Sequence, residues 1–209
     1  MLDRDKYEHE LDTEFRKSEY IKYFPFIGKK YMDITPKIMI LGESYYIDPE
    51  IRKDGIHPNK RVKCYRNTSA VISGKDYHVS DYIWEYLSFY SFFQNHVGKG
   101  AKDKGYINSD IIDNSRKAYF DVINILKPDL IIVWGISKLF YEWTPQEDRQ
   151  FVNEHFLLYK YKNLPKTSFW HIPDPSQGFS YEWYHDEFLM VVKELSLDIS
   201  KLTEGAQIN

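Results

Sequence analysis

Apolar residues in this chain gather into short runs, each halted by a polar or glycine turn. Lys37–Leu41 follows Pro36 and stops at Gly42, and Asp129-Leu-Ile-Ile-Val-Trp-Gly135 closes on a second glycine. Unbroken apolar runs of this length read as strands buried on both faces, as in a parallel sheet. Phe156–Tyr161 and Thr167–Ile172 read as two more short strands on either side of Asn163-Leu-Pro165. Between them the period changes from strand to helix. Ile111, Tyr119, Val122, Ile123 and Leu126 recur at helical spacing over 110–126, and Pro128 ends that helix. Ser137–Trp143 opens another, and Ser180 caps a last helix whose Phe188, Val191, Val192 and Leu195 share one face.

The remaining segments are less regular. Residues 5–24 carry alternating charge with Leu11, Phe15, Tyr20 and Tyr23, which predicts an amphipathic helix lying on the body of the domain. Residues 47–80 keep no period and read as a long loop. Residues 81–97 form an aromatic centre in which Phe89–Gln94 suits a strand, and Gly98–Gly105 is a polar loop. Strands alternating with helices predict a single domain over 1–209, with 1–30 as an N-terminal helical extension and 203–209 as a frayed tail. Its fold class is α/β, a three-layer α/β/α sandwich around a mainly parallel sheet of four to five strands.

Charge and composition narrow the function classes only a little. Lys+Arg 28 against Asp+Glu 31 leaves a net charge of -3, which argues against a strongly basic nucleic-acid binder but permits a local basic patch. Such a patch lies between Ser44 and Arg66, where Arg52, Lys53, Lys60, Arg61, Lys63 and Arg66 outnumber Asp48, Glu50 and Asp54; it suits either a phosphate-facing lid or an ordinary solvated loop. Aromatic residues make up 17% of the chain, with 18 Tyr, which suits either rings lining a groove or interface or a Tyr-rich surface. A lone cysteine, Cys64, excludes a disulfide framework, a cysteine-ligated zinc and an iron–sulfur cluster within one chain. No apolar stretch reaches the roughly 18 residues of a membrane span, and the first ten residues are too charged for a signal peptide. The expected location is the cytoplasm, with no membrane partner.

Two turns carry the chemistry. An open α/β sheet binds its ligands at the carboxyl ends of its strands, and Gly42-Glu43-Ser44-Tyr45-Tyr46 and Asp174-Pro175-Ser176-Gln177-Gly178-Phe179-Ser180 each follow a strand. Glu43 is either a catalytic carboxylate or a cap for its own turn. Arg66 and Asn67 suit a phosphate clasp or an anchor for the first turn, while Ser176, Gln177, Gly178 and Ser180 suit a grip on a phosphodiester or a plain turn into a capped helix.

Four segments in order, Gly42–Tyr46, Phe89–Gln94, Leu130–Ser137 and Asp174–Ser180, resemble the uracil-DNA glycosylase superfamily over roughly residues 36–195. Gly42-Glu-Ser, Tyr65-Arg-Asn67 and Gly178-Phe-Ser180 are similar to a poorly characterised glycosylase-like branch of it. The resemblance implies excision of a damaged or deaminated base from DNA, single-stranded or damaged, by hydrolysis of the N-glycosidic bond. It implies no metal and no organic cofactor. The base would be flipped out, stacked on a ring and read at its edge. Tyr45, Tyr46 or one ring of Phe89, Tyr90, Phe92 and Phe93, most of which suit a core, would then supply the ring, and Ser91, Gln94 or Asn95 the reading group. A carboxylate must hold a water and steady a cationic sugar, and donors must receive the departing base.

This chain departs from the family pattern at two places. Ser44 stands where the first turn often carries Asp, leaving Glu43 as its carboxylate. Asp174 stands where the last turn usually carries a proton-donating His, and a charged aspartate would repel the developing oxyanion. His171, three residues earlier, is the substitute donor if the backbone bulges, and otherwise a structural side chain. These departures keep open a catalytically degenerate protein that binds a nucleotide or nucleic acid in the same crevice. A third reading is an unrelated α/β domain with a small-molecule pocket.

Overall fold

The computed structural model describes residues 10–43, 62–75, 81–93, 108–135, 145–176 and 178–204. Their strands are β1 (Phe26–Ile27), β2 (Ile38–Gly42), β3 (Leu87–Ser91), β4 (Leu130–Trp134), β5 (Arg149–Asn153), β6 (Leu158–Tyr161) and β7 (Leu164–Ile172). The helices are α1 (Asp12–Phe15), α2 (Lys63–Ser73), α3 (Ser109–Leu126), α4 (Tyr181–Glu194) and α5 (Ser200–Glu204). The strands form one seven-stranded sheet in the order β1-β3-β2-β4-β7-β6-β5.

Four neighbours, β3, β2, β4 and β7, run parallel, while β1 on one side and the β5–β6 hairpin on the other run antiparallel. The parallel strands are the apolar runs of the sequence, and every residue of β2, β3 and β4 is buried. Helices must therefore cover both faces. On one face α3 packs Ala118, Tyr119, Val122, Ile123 and Leu126 against Met39, Leu41, Ile131, Val133 and Phe169. On the other, α2 and α4 bring Tyr65, Val71, Ile72, Phe188, Val191 and Val192 against Ile38, Ile40, Phe89, Ile132, Trp134, Trp170 and Ile172. The α/β class and the parallel centre agree with the sequence pattern.

Several expectations need correcting. The sheet has seven strands, because β1 is two residues long and β5 is largely exposed, so neither produces an apolar run. Within 10–30, helix is limited to Asp12–Phe15, and Phe26–Ile27 pairs with Phe89 and Ser88 as the edge of the sheet. That part of the chain is integral to the domain and is not a helical extension. Thr203 and Glu204 belong to α5, whereas 205–209, Gly98–Gly105 and the helix expected at Ser137–Trp143 lie outside the described residues.

The largest correction is α2, which occupies a region read as loop. Its buried residues include Asn67, Thr68, Ser69 and Ser73 beside Tyr65, Val71 and Ile72. A helix that buries hydroxyls and an amide shows little hydrophobic period. Some of those polar groups bond locally, as where the Ser69 hydroxyl donates to the carbonyl of Tyr65 at 2.9 Å.

Two helix ends make contrasting demands on the backbone. Gly74 closes α2 at φ 67, and a Cβ there would stand 2.5 Å from Nε2 of His185. That imidazole is itself held, Nδ1 lying 2.7 Å from the carbonyl oxygen of Val71. Lys127 closes α3 in the same left-handed region at φ 50 without being glycine. Gly74→Ala is expected to lower unfolding stability by about 1–3 kcal/mol. Lys127→Gly should raise it by up to about 1 kcal/mol. Urea midpoints of the two variants moving in the same direction would contradict this account.

Candidate functional site

Parallel pairing in register decides where the site lies. Gly42 is paired with Ser91, Leu41 with Val133, and Trp134 with Ile172, so four strands finish in one row across the sheet. Strand spacing puts the ends of β2 and β7 about 10 Å apart with β4 between them. The two turns singled out in the sequence therefore rise from the same edge. After the neighbouring strands β2 and β3 the chain passes to opposite faces, to α2 and α3 respectively, the arrangement that opens a crevice above strand ends.

The first turn is tied to β3. The carbonyls of Gly42 and Glu43 accept hydrogen bonds from the backbone N–H groups of Phe92 (2.8 Å) and Phe93 (3.0 Å). Glu43 follows directly, its side chain half-buried. Gly42 owes its identity to what packs over it, since a Cβ would lie 3.2 Å from Cζ of Phe89 and 3.5 Å from Cε3 of Trp134. Phe89, Trp134 and Tyr65 form a mutual cluster with ring centroids 5.3–5.5 Å apart, so the floor beneath the first turn is aromatic and tightly filled. Ser91, at the end of β3, is fully buried on this same row.

The last turn is held from α2. The buried Asn67 side chain donates to the carbonyl of Pro175 at 2.6 Å, tying the last turn to α2. Asn67 thus anchors the last turn and not the first. Within the turn, the Asp174 carboxylate accepts the backbone N–H of Ser176 at 2.8 Å. Asp174 also lies close enough to Cys64, in the first turn of α2, for its charge to help raise the thiol; burial is the larger cause, and together they push Cys64 up to about 11. At neutral pH the cysteine is a thiol, not a nucleophile. Gly178 and Ser180 follow, the Ser180 hydroxyl capping α4 by accepting from the N–H of Trp183 at 3.4 Å.

His171 sits elsewhere. Successive residues of β7 face opposite sides, and His171 joins the face of Tyr159 and Phe169, with only 3% of its surface exposed. Its Nε2 is 2.9 Å from the Tyr159 hydroxyl, and the two rings stack at 5.6 Å. Burial chiefly, then the Arg149 charge, push its pKa down to about 3, with the backbone of Gly135 pulling weakly the other way. It is a neutral core histidine, turned from the side of the sheet on which Trp134 and Ile172 lie, and the geometry does not bring it to the last turn as a proton donor.

Arg66 lies beside Asn67 on α2 and Ser176 closes the last turn, both partly buried. Tyr45, Tyr46, Gln94, Asn95 and Gln177 lie outside the described residues. Among the described residues no group of three or more His, Cys, Asp or Glu is placed to hold a metal ion, and no helix is long and apolar enough to cross a membrane. The reading of the residues missed Trp134, whose indole N–H is buried without a hydrogen-bond partner. Its one signal was an indole at a strand end beside a glycine. No family model matches the chain, and no curated protein matches it.

Two measurements check this geometry. Asn67→Ala removes a clasp on a buried carbonyl and is expected to cost about 1–3 kcal/mol; increased protease cleavage near Pro175 should accompany it. His171 has a lowered pKa when folded, so its contribution to stability is complete above the unfolded value near 6.5 and is lost as pH falls toward about 3. Over that window the wild-type chain should lose stability about 1.4 kcal/mol per pH unit faster than His171→Gln. Parallel acid limbs in the two proteins would refute the assignment.

Proposed function

We propose that the crevice takes an everted nucleobase and that the chain hydrolyses the N-glycosidic bond of a damaged or deaminated nucleotide in DNA. The observation that carries this reading is the shared edge of the two turns: Glu43 follows β2 and Asp174 follows β7, with β4 alone between those strands. Glu43 is the carboxylate on the first turn, suited to orient a water and steady positive charge on the sugar. Water oxygen bonds to C1′, the C1′–N bond breaks, its electron pair leaves with the base, and the proton from water ends on the base.

The leaving group meets an unusual environment in this reading. Asp174 is an acceptor already engaged by Ser176, and His171 is neutral and bonded to Tyr159. Stabilisation of the departing anion then falls to neutral donors, the backbone amides of the last turn and polar groups on the strand row. Arg66 and Ser176 flank the crevice where a phosphodiester would pass.

Ser44 and Asp174 in place of stronger catalytic groups support a second reading, in which the protein binds a nucleotide or nucleic acid and has lost cleavage. Oligonucleotides carrying uracil, hypoxanthine or xanthine separate the two. The expected result is an abasic product whose formation falls at least about a hundredfold in Glu43→Gln. Binding without product would establish the second reading, and failure to bind any nucleic acid at low salt would end both.

A further inference from the structure

The last residues of the parallel strands present two buried polar atoms without a hydrogen-bond partner. Trp134 ends β4 and is 7% exposed, yet its indole Nε1 is shielded from solvent and has no hydrogen-bond partner. Ser91, two strands away on the same row, likewise buries a hydroxyl without a partner. A buried, unpaired donor costs roughly 1–3 kcal/mol. A phenylalanine would fill the same aromatic cluster without that cost. An indole retained at a strand end, directly above the sheet edge that carries both turns, points to a ligand atom that completes it.

The ring's orientation says which way it looks. Cε3 faces Gly42, 3.5 Å from the position of a Cβ there. Cε3 and Nε1 lie on opposite sides of the bond joining the indole to the chain. The N–H is therefore not on the edge of the ring that packs against Gly42. Tyr65 packs edge-on against the indole at 5.5 Å, and Asn67, on the same helix, holds the Pro175 carbonyl. The helix that braces this ring is thus also the one that sets the last turn, and a base entering there would displace what now covers the N–H.

We propose that Trp134 Nε1–H is the specificity-determining donor of the crevice and that it selects a base bearing an exocyclic oxygen over one bearing an exocyclic amine. The inference rests on the base-binding reading above and specifies the substrate class within it. An indole N–H can only donate. Cytosine and adenine present amino donors at the position where uracil and hypoxanthine, their deaminated forms, present a carbonyl oxygen. Opposite Trp134 the oxygen completes a hydrogen bond, whereas the amine leaves two donors facing each other in a dry site. A neutral donor also suits a crevice in which neither Asp174 nor His171 is placed to donate.

Binding of labelled single-stranded oligonucleotides containing one uracil or one cytosine tests this, with Glu43→Gln as the parent to stop turnover. The parent should prefer uracil. Adding Trp134→Phe should shrink that preference about tenfold or more. A preference for uracil untouched by Trp134→Phe, or binding with no preference in the parent, overturns the inference and leaves base binding standing. No binding to either strand, with no product from the wild type, removes the reading and the inference together. Should Trp134→Phe fail to fold, the Trp134 indole resonance of the 15N-labelled parent decides. A downfield shift on saturation with the uracil strand alone supports the assignment, and a resonance that does not move refutes it.

Discussion

Strands that run the same way and pair in register must finish on the same edge, and everything proposed for this protein follows from that constraint. Because β3, β2, β4 and β7 are parallel neighbours, Ser91, Gly42, Trp134 and Ile172 form a row, and the segments beyond them have nowhere to go but up from it. The antiparallel additions, β1 at one side and the β5–β6 hairpin at the other, widen the sheet without altering this edge. They do set the surroundings of the core: β6 supplies Tyr159, which pairs with His171 and carries the Arg149 guanidinium 4.8 Å above its ring. One edge of the sheet is given to a crevice, while its flank encloses a neutral histidine in aromatic packing.

The helix α2 joins these two levels of organisation. A helix covering a sheet ordinarily offers it an apolar stripe, and α2 does so only with Tyr65, Val71 and Ile72. Its remaining buried positions, Ala70 apart, are polar, and one of them, Asn67, holds the backbone of the last turn. A backbone carbonyl closed off from water needs a donor, and a side-chain amide supplies one that is rigidly placed by its own helix. The position of the last turn is thereby coupled to the packing of α2 on α4, where His185 reaches back to the carbonyl of Val71.

Legibility in the sequence followed the same division. Runs such as Ile38–Leu41 and Leu130–Trp134, and the helical spacing of Tyr119, Val122, Ile123 and Leu126, could be read because burial on both faces or on one stripe leaves a periodic trace. α2 could not, since Asn67, Thr68, Ser69 and Ser73 are polar in sequence and their burial comes from neighbours that only the tertiary fold provides. β1 and β5 were invisible for the opposite reason: edge strands are defined by backbone pairing, which a two-residue segment or an exposed one hardly signals in its side chains. At the site, the pattern located both turns and named Glu43, Asn67, Asp174 and Ser176. It could not tell that His171 faces the other side of the sheet, because strand alternation decides orientation only once the register is known.

That orientation bears on what kind of chemistry the crevice can host. A charged donor at the last turn would need His171 on the side of Trp170 and Ile172, but alternation along β7 sends it to the side of Phe169, where burial holds it neutral. Turning it around would take a one-residue slip of β7, and such a slip would also exchange Trp170 and Ile172 out of the core that α4 covers. The fold thus fixes the histidine's side through the same packing that keeps the sheet together. What is left facing the strand row is an aromatic floor, a glycine, a serine and an indole N–H. A site of that composition, if it takes the proposed base, would have to recognise it by shape and neutral hydrogen bonds, with Glu43 as the carboxylate on the first turn.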